Sequence, residues 1–192
     1  MPDRARILVV AATARELAVP DGWATCLCGV GPVEAAAGTA AAIARVAPAI
    51  VLHVGIAGAR RHRALPPATL VIGDSAHYSD LGVDARWAPN TIRADAALLA
   101  IAQQTLPQAI TLPIGTSARI GGTSTTDVEA MEGFAVLRAA ALAGVPALEV
   151  RAISNEIEEP DRSRWQFDAA FAAITAATAP LVQAFLPLVT HA

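Results

Sequence analysis

The sequence predicts an α/β layered sandwich, a sheet covered by helices on both faces. Runs of β-branched and aliphatic residues alternate with alanine-rich helical segments along the chain. Hydrophobic residues make up 54% of the 192 but aromatics only 4%, so small aliphatic side chains fill the core. That composition favours close packing of helix on sheet, and the length suits one domain spanning residues 1–192.

Met1-Pro2-Asp3-Arg4-Ala5-Arg6 leads into the apolar run 7–12. The run is too brief for a signal-peptide core and is followed by Arg15 and Glu16, so it reads as the first strand of a cytoplasmic protein. The next strand, 25–30, carries Cys26 and Cys28 two apart, which puts both on one face as small core residues in a reducing compartment. Gly29-Val30-Gly31-Pro32-Val33-Glu34 lacks the third glycine of a dinucleotide loop and follows the second strand, not the first. It reads as a tight turn into the helix 33–46, with Pro32 near the helix start. Strands at 50–55 and 69–75 follow, then helices at 94–103 and 128–143. Gly144-Val145-Pro146 is a helix stop, after which 147–153 forms a strand.

The last helix follows Ser163. The uncharged stretch 169–190 is long enough to span a bilayer. Thr175, Thr178, Pro180, Gln183 and Pro187 interrupt it, however, and Phe171, Ile174, Leu181, Phe185 and Leu188 fall close to one helical face. A buried terminal helix, bent at Pro180, is therefore expected, with no membrane partner.

Net charge is −3 and the 14 basic residues are scattered, so no nucleic-acid partner is expected. His53, His62, His77 and His191 show no metal spacing with one another or with the cysteines, and neither metal nor cofactor is indicated. The chain has no Walker lysine, nucleophile elbow or His-Glu-x-x-His.

In such sheets ligands collect where strand ends meet loops. Glu16 lies just beyond the first strand; taken alone it reads as a solvated carboxylate at a helix start. Glu132 sits near the start of an apolar helix between Met131 and Gly133, where it either complements the helix dipole or chelates a sugar diol. Arg151 and Asn155 bracket the end of the strand Leu148-Glu149-Val150-Arg151-Ala152-Ile153. A buried arginine needs an acceptor, and Glu149 on the same face is the plain partner. Asn155 either caps a turn or faces a ligand.

Four blocks, 7–16, 28–41, 50–58 and 128–155, resemble the nucleoside phosphorylase and nucleosidase superfamily, especially its methylthioadenosine/S-adenosylhomocysteine nucleosidase branch. Met131-Glu132 followed by Arg151-Ala152-Ile153-Ser154-Asn155 carries most of the specificity. The segment 155–165 is similar to futalosine hydrolases in particular, and 84–120 matches least. The resemblance implies a three-layer α/β/α sandwich around a central mixed, twisted sheet, and a homo-oligomer that binds a small purine nucleoside. It implies that Glu16 orients and deprotonates the attacking water and that Arg151 helps hold that water or the sugar. Met131 would pack on ribose, Glu132 would accept from its 2′- and 3′-hydroxyls, and Ser154 and Asn155 would face the base. Ala57 and Gly58, at the end of the third block, would touch the substrate. Ile56 stands where the nucleosidases have serine.

The adenine-releasing nucleosidases have aspartate where this sequence has Asn155. An asparagine carbonyl accepts from N7–H while its amide donates to O6, a pattern complementary to a 6-oxopurine and mispaired with adenine. The implied reaction is hydrolysis of futalosine to hypoxanthine and dehypoxanthine futalosine, a step of menaquinone biosynthesis. A phosphorylase needs a donor cluster for the dianion. Arg60, Arg61 and Arg63 are the candidates for one, whereas Glu16 would repel it. Other 6-oxopurine nucleosidases or phosphorylases, a methylthioadenosine/S-adenosylhomocysteine nucleosidase, and a non-catalytic nucleoside-binding protein are the alternatives.

Overall fold

The computed structural model describes residues 3–122 and 124–189; His191 and Thr190 lie outside them. The strands are β1 (Ile7–Ala11), β2 (Ala24–Leu27), β3 (Ile50–Ala59), β4 (Leu70–Tyr78), β5 (Thr91–Arg93), β6 (Ile110–Thr116), β7 (Val128–Ala130) and β8 (Ala147–Glu156). The helices are α1 (Pro32–Val46), α2 (Ala96–Thr105), α3 (Gly133–Leu142) and α4 (Phe167–Val189).

These strands form one mixed sheet in the order β2-β1-β3-β7-β6-β4-β5, with β8 pairing both β3 and β4. β1 runs parallel to β2 and β3, and β3 runs parallel to β8. β8 is antiparallel to β4, and β7 is antiparallel to β3 but parallel to β6. Because β4 also pairs with β6, the strands β3, β8, β4, β6 and β7 close into a ring. Its packed residues are small or β-branched: Ala57, Ala59, Val71, Ile114, Val128, Ala130 and Ile153. Five strands enclose a narrow interior, which small side chains fill.

Alternation along β1 divides the remaining core between two helical layers. Ile7, Val9 and Ala11 join Leu52, Val54, Leu148, Val150 and Ala152 against α2 and α4. Leu8 and Val10 join Val51 against α1 and α3. Cys26 and Cys28 fall together in this second layer, on one face as their spacing requires. α4 is long and apolar enough to cross a membrane by composition. Here Ala170, Ile174, Ala177, Leu181, Val182 and Phe185 bury one side of it in the core, and Pro180 and Pro187 both lie within the helix.

Several boundaries differ from expectation. The helix expected over 128–143 starts at Gly133, because Val128–Ala130 pairs with β3 and β6 as a strand; ladder bonds in the closed ring override helical composition. β3 continues past Gly55 to Ala59, and β2 stops at Leu27. β5, β6 and β7 are unforeseen. Pro113 inside β6 is a residue that normally demotes a strand, and β5 and β7 are three residues each.

Candidate active site

The parallel strands β1, β3 and β8 point their C-terminal ends to one side of the sheet, where a cavity of about 240 Å³ opens. Its lining includes Glu16, Ala57, Gly58, Met131, Glu132, Ser154 and Asn155, seven of the eight residues expected from the sequence. The eighth, Arg151, is fully buried and lies beneath the cavity, not on its wall.

Glu16 ends a short 3₁₀ turn after β1 and is buried, contrary to the solvated reading. The Thr13 N–H and hydroxyl donate to its Oε2 at 2.8 and 2.9 Å, and the Ile56 N–H donates to Oε1 at 3.2 Å. The carboxylate is thus oriented by the loop after β1 and by the main chain of β3. Gly55 makes the approach feasible: a Cβ there would come 2.1 Å from Arg151 Nη1 and 2.8 Å from Glu16 Oε1.

Glu132 occupies the N-cap position of α3. Its Oε1 accepts from the Gly31 N–H at 3.1 Å and its Oε2 accepts from Arg151 Nη2 at 3.3 Å. Gly31 has φ +90°, so the turn between β2 and α1 uses the left-handed region to aim that N–H at the carboxylate. Burial pushes the Glu132 carboxyl above its usual range, opposed by Arg151. Burial, then Glu132, pushes the Cys28 thiol up to about 12, so it is inert as a nucleophile.

Arg151 meets its expected partner: Nε donates to Glu149 Oε1 at 2.7 Å. His53, fully buried on β3, completes the arrangement. Its Nδ1 lies 3.0 Å from Val10 O, an acceptor only, so Nδ1 carries the hydrogen and Nε2 accepts from Arg151 Nη2 at 2.5 Å. Burial and then Arg151 hold this imidazole well below its ordinary pKa, in the neutral form. Burial also raises the Glu149 carboxyl, opposed by Arg151. Although burial opposes the charge on Arg151, Glu149, Glu132 and Glu16 together keep it protonated.

A bulge shapes the far side of the cavity. Ala57 pairs with Ile153 and Gly58 with Asn155, so Ser154 is the extra residue on β8. The Ser154 hydroxyl lies 3.2 Å from Ala57 O and 2.7 Å from Asn155 Oδ1, and Asn155 Nδ2 donates to Glu156 O at 2.8 Å. One N–H and one lone pair of the Asn155 amide remain for a ligand.

Other lining residues were not singled out from the sequence. Glu129 accepts from the Gly122 and Ser124 N–H groups at 3.0 and 2.8 Å, tying down the loop that carries Arg119 and Ile120. Arg162, Trp165 and Phe167 line another part of the wall, with the Arg162 guanidinium 5.7 Å from the Trp165 ring centre. Neither Arg119 nor Arg162 forms an ion pair among the described residues. Arg162 falls in the stretch 155–165 that resembles futalosine hydrolases, though the sequence assigned it no role, whereas Arg119 is revealed by its location alone. Arg60, Arg61 and Arg63 are engaged with Glu158, Glu156 and Asp127, and none of the three lines this cavity. His62 meets Asp127 at 3.0 Å. Among the described residues no group of histidine, cysteine and carboxylate side chains has metal-binding geometry.

The family model described as the Phosphorylase superfamily matches residues 23–187. A curated futalosine hydrolase from Streptomyces coelicolor is 34% identical over 197 aligned positions, covering 88% of this chain and 83% of that protein. A solved methylthioadenosine/S-adenosylhomocysteine nucleosidase from Neisseria meningitidis, in complex with methylthio-immucillin-A, superimposes with a TM-score of 0.80. It is 20% identical, with 92% of this chain and 98% of that one covered. The native futalosine hydrolase of Helicobacter pylori gives a TM-score of 0.77 at 17% identity, covering 92% and 97%. These two structures share the layered fold of a mixed sheet between helices.

Proposed function

The chain belongs to the phosphorylase superfamily, and from that premise we propose that it is an N-glycosyl hydrolase acting on futalosine. The products are hypoxanthine and dehypoxanthine futalosine, in a step of menaquinone biosynthesis. The observation that carries this reading is the meeting of Glu16, Met131-Glu132 and Ser154-Asn155 on one cavity, joined to the 34% identity with a futalosine hydrolase.

Breaking the C1′–N9 bond leaves its electron pair on the purine and positive charge on the ribose, so a buried carboxylate at the ribose stabilises the transition state more than the substrate. Glu132 accepts from the 2′- and 3′-hydroxyls and faces that charge, and Met131 packs on the sugar. Glu16, held by three donors, takes the proton of the water that attacks C1′. The free N–H and lone pair of Asn155 match O6 and N7–H of hypoxanthine. The purine takes its N7 proton from a second water, and the proton that Glu16 removed from the attacking water returns to the hydroxide left behind, so that one water is consumed. The carboxylate partners of Arg60, Arg61 and Arg63 weigh against a phosphate site. Arg119 and Arg162, with Trp165 and Phe167, support an anionic aromatic 5′-substituent on the nucleoside.

The buried free thiols of Cys26 and Cys28 accord with a reducing compartment, here the cytoplasm. Leu27, Val30 and Val33 are exposed by 56%, 56% and 76% at the β2–α1 turn, and Val30 also lines the cavity. This apolar edge supports a homo-oligomer whose neighbour covers the cavity mouth.

The test mixes purified protein with futalosine, inosine or methylthioadenosine, with and without phosphate, and quantifies the free bases. Hypoxanthine from futalosine without phosphate is expected. Strict dependence on phosphate, or adenine as the sole product, overturns the reading.

A further inference from the structure

Three carboxylates surround one guanidinium at the floor of the cavity. Glu16, Glu132 and Glu149 all act on the charge of Arg151, while His53 presents a neutral lone pair to it. The contacts are unequal. Glu149 takes Nε at 2.7 Å, His53 takes Nη2 at 2.5 Å, and Glu132 shares that same Nη2 at 3.3 Å.

Glu149 is an expensive residue to place there. It is fully buried, and its Oε2 has no hydrogen-bond partner among the described residues. The chain also makes room for it: a Cβ on Gly133 would lie 2.1 Å from Glu149 Oε2 and 2.3 Å from Oε1. Glycine next to Glu132 therefore admits a second carboxylate behind the first. One carboxylate and one guanidinium would suffice to anchor Glu132, so the extra buried charge calls for a reason.

A guanidinium in close contact with Glu132 alone would cancel the charge that a cationic ribosyl group needs. We propose that Glu149, with His53, is a positioning residue that draws Arg151 away from Glu132 and leaves the Glu132 charge free to face the sugar cation. Arg151 then orients Glu132 at 3.3 Å while offsetting only part of its charge. This inference rests on the ribose-binding role proposed for Glu132.

Glu149→Gln tests it, because the amide oxygen still accepts from Nε while the charge is gone. Two probes are compared by calorimetry: inosine, neutral at the sugar, and a hypoxanthine-like nucleoside analogue with a cationic iminoribitol ring. Affinity for the cationic analogue falls at least about tenfold in the variant, inosine affinity stays within about threefold, and kcat falls with little change in KM. A folded variant that binds both probes as the wild type does, or loses both equally, overturns the proposal. Should Glu149→Gln not fold, Glu149→Asp carries the test. Preference for the cationic analogue retained by this variant supports the charge role, and its loss in folded protein overturns it. If wild-type protein releases no hypoxanthine from either futalosine or inosine, the proposed function itself fails, independently of this test.

Discussion

Replacing Glu132 by glutamine isolates its charge from its shape. The residue is 4% exposed and its carboxylate has two anchors, the Gly31 N–H at 3.1 Å and Arg151 Nη2 at 3.3 Å. At an effective dielectric near 20, a carboxylate about 4 Å from a full positive charge contributes about 4 kcal/mol. Arg151 offsets part of this and the ribosyl cation is only partly developed, which leaves roughly 2 to 3 kcal/mol. Turnover of Glu132→Gln is therefore expected to fall between about 30-fold and 150-fold. Stability should change little, because burial opposes the charged form and the amide oxygen still accepts. Steady-state release of hypoxanthine gives kcat, and thermal unfolding shows that the variant folds. Glu34→Gln, exposed in the first turn of α1, is the control and should remain near wild type. Equal, mild losses in the two folded variants would refute the assignment of Glu132 to the ribose.

Gly55→Ala should cost about 1 to 3 kcal/mol of stability and most of the turnover, because its Cβ meets the pinned Arg151 and Glu16; unchanged unfolding and kinetics would show that the cluster yields. His53 has a folded-state pKa depressed below 6.5, so its contribution is present above pH 6.5 and lost as pH falls through the folded value. Urea unfolding between pH 7.5 and 5.5 should show wild type losing up to roughly 1 kcal/mol per pH unit more than His53→Gln below pH 6.5, and parallel curves would contradict a buried neutral imidazole. Arg162→Ala should lower the ratio of kcat/KM for futalosine over inosine by about tenfold, the value of one charge-assisted contact. An unchanged ratio would place the 5′-substituent elsewhere.

Much of the framework follows from local pattern. Alternation along β1 dictates which residues face each helical layer, and Gly144-Val145-Pro146 marks the stop before β8, as the structure has it. The pairing of Arg151 with Glu149 was also legible, because residues two apart on a strand share a face. Glu129 and the three-residue β7 were not, since a short run of helical composition gives no sign that a distant strand end will pair with it.

By itself, then, the sequence determined the layered class and seven of the residues that gather at the cavity. Only the tertiary structure decided that five strands close on themselves, that a bulge at Ser154 sets the register of Asn155, and that Arg151 lies under the cavity. The same holds for the association of His53, Glu132 and Glu149 around one guanidinium. His53 and Arg151 are 98 residues apart, and Gly31 and Glu132 are 101 apart. Periodicity states which way a side chain points from its own strand or helix, but not which other buried charge it will find there. That depends on strand order, and strand order is settled by burial over the whole chain.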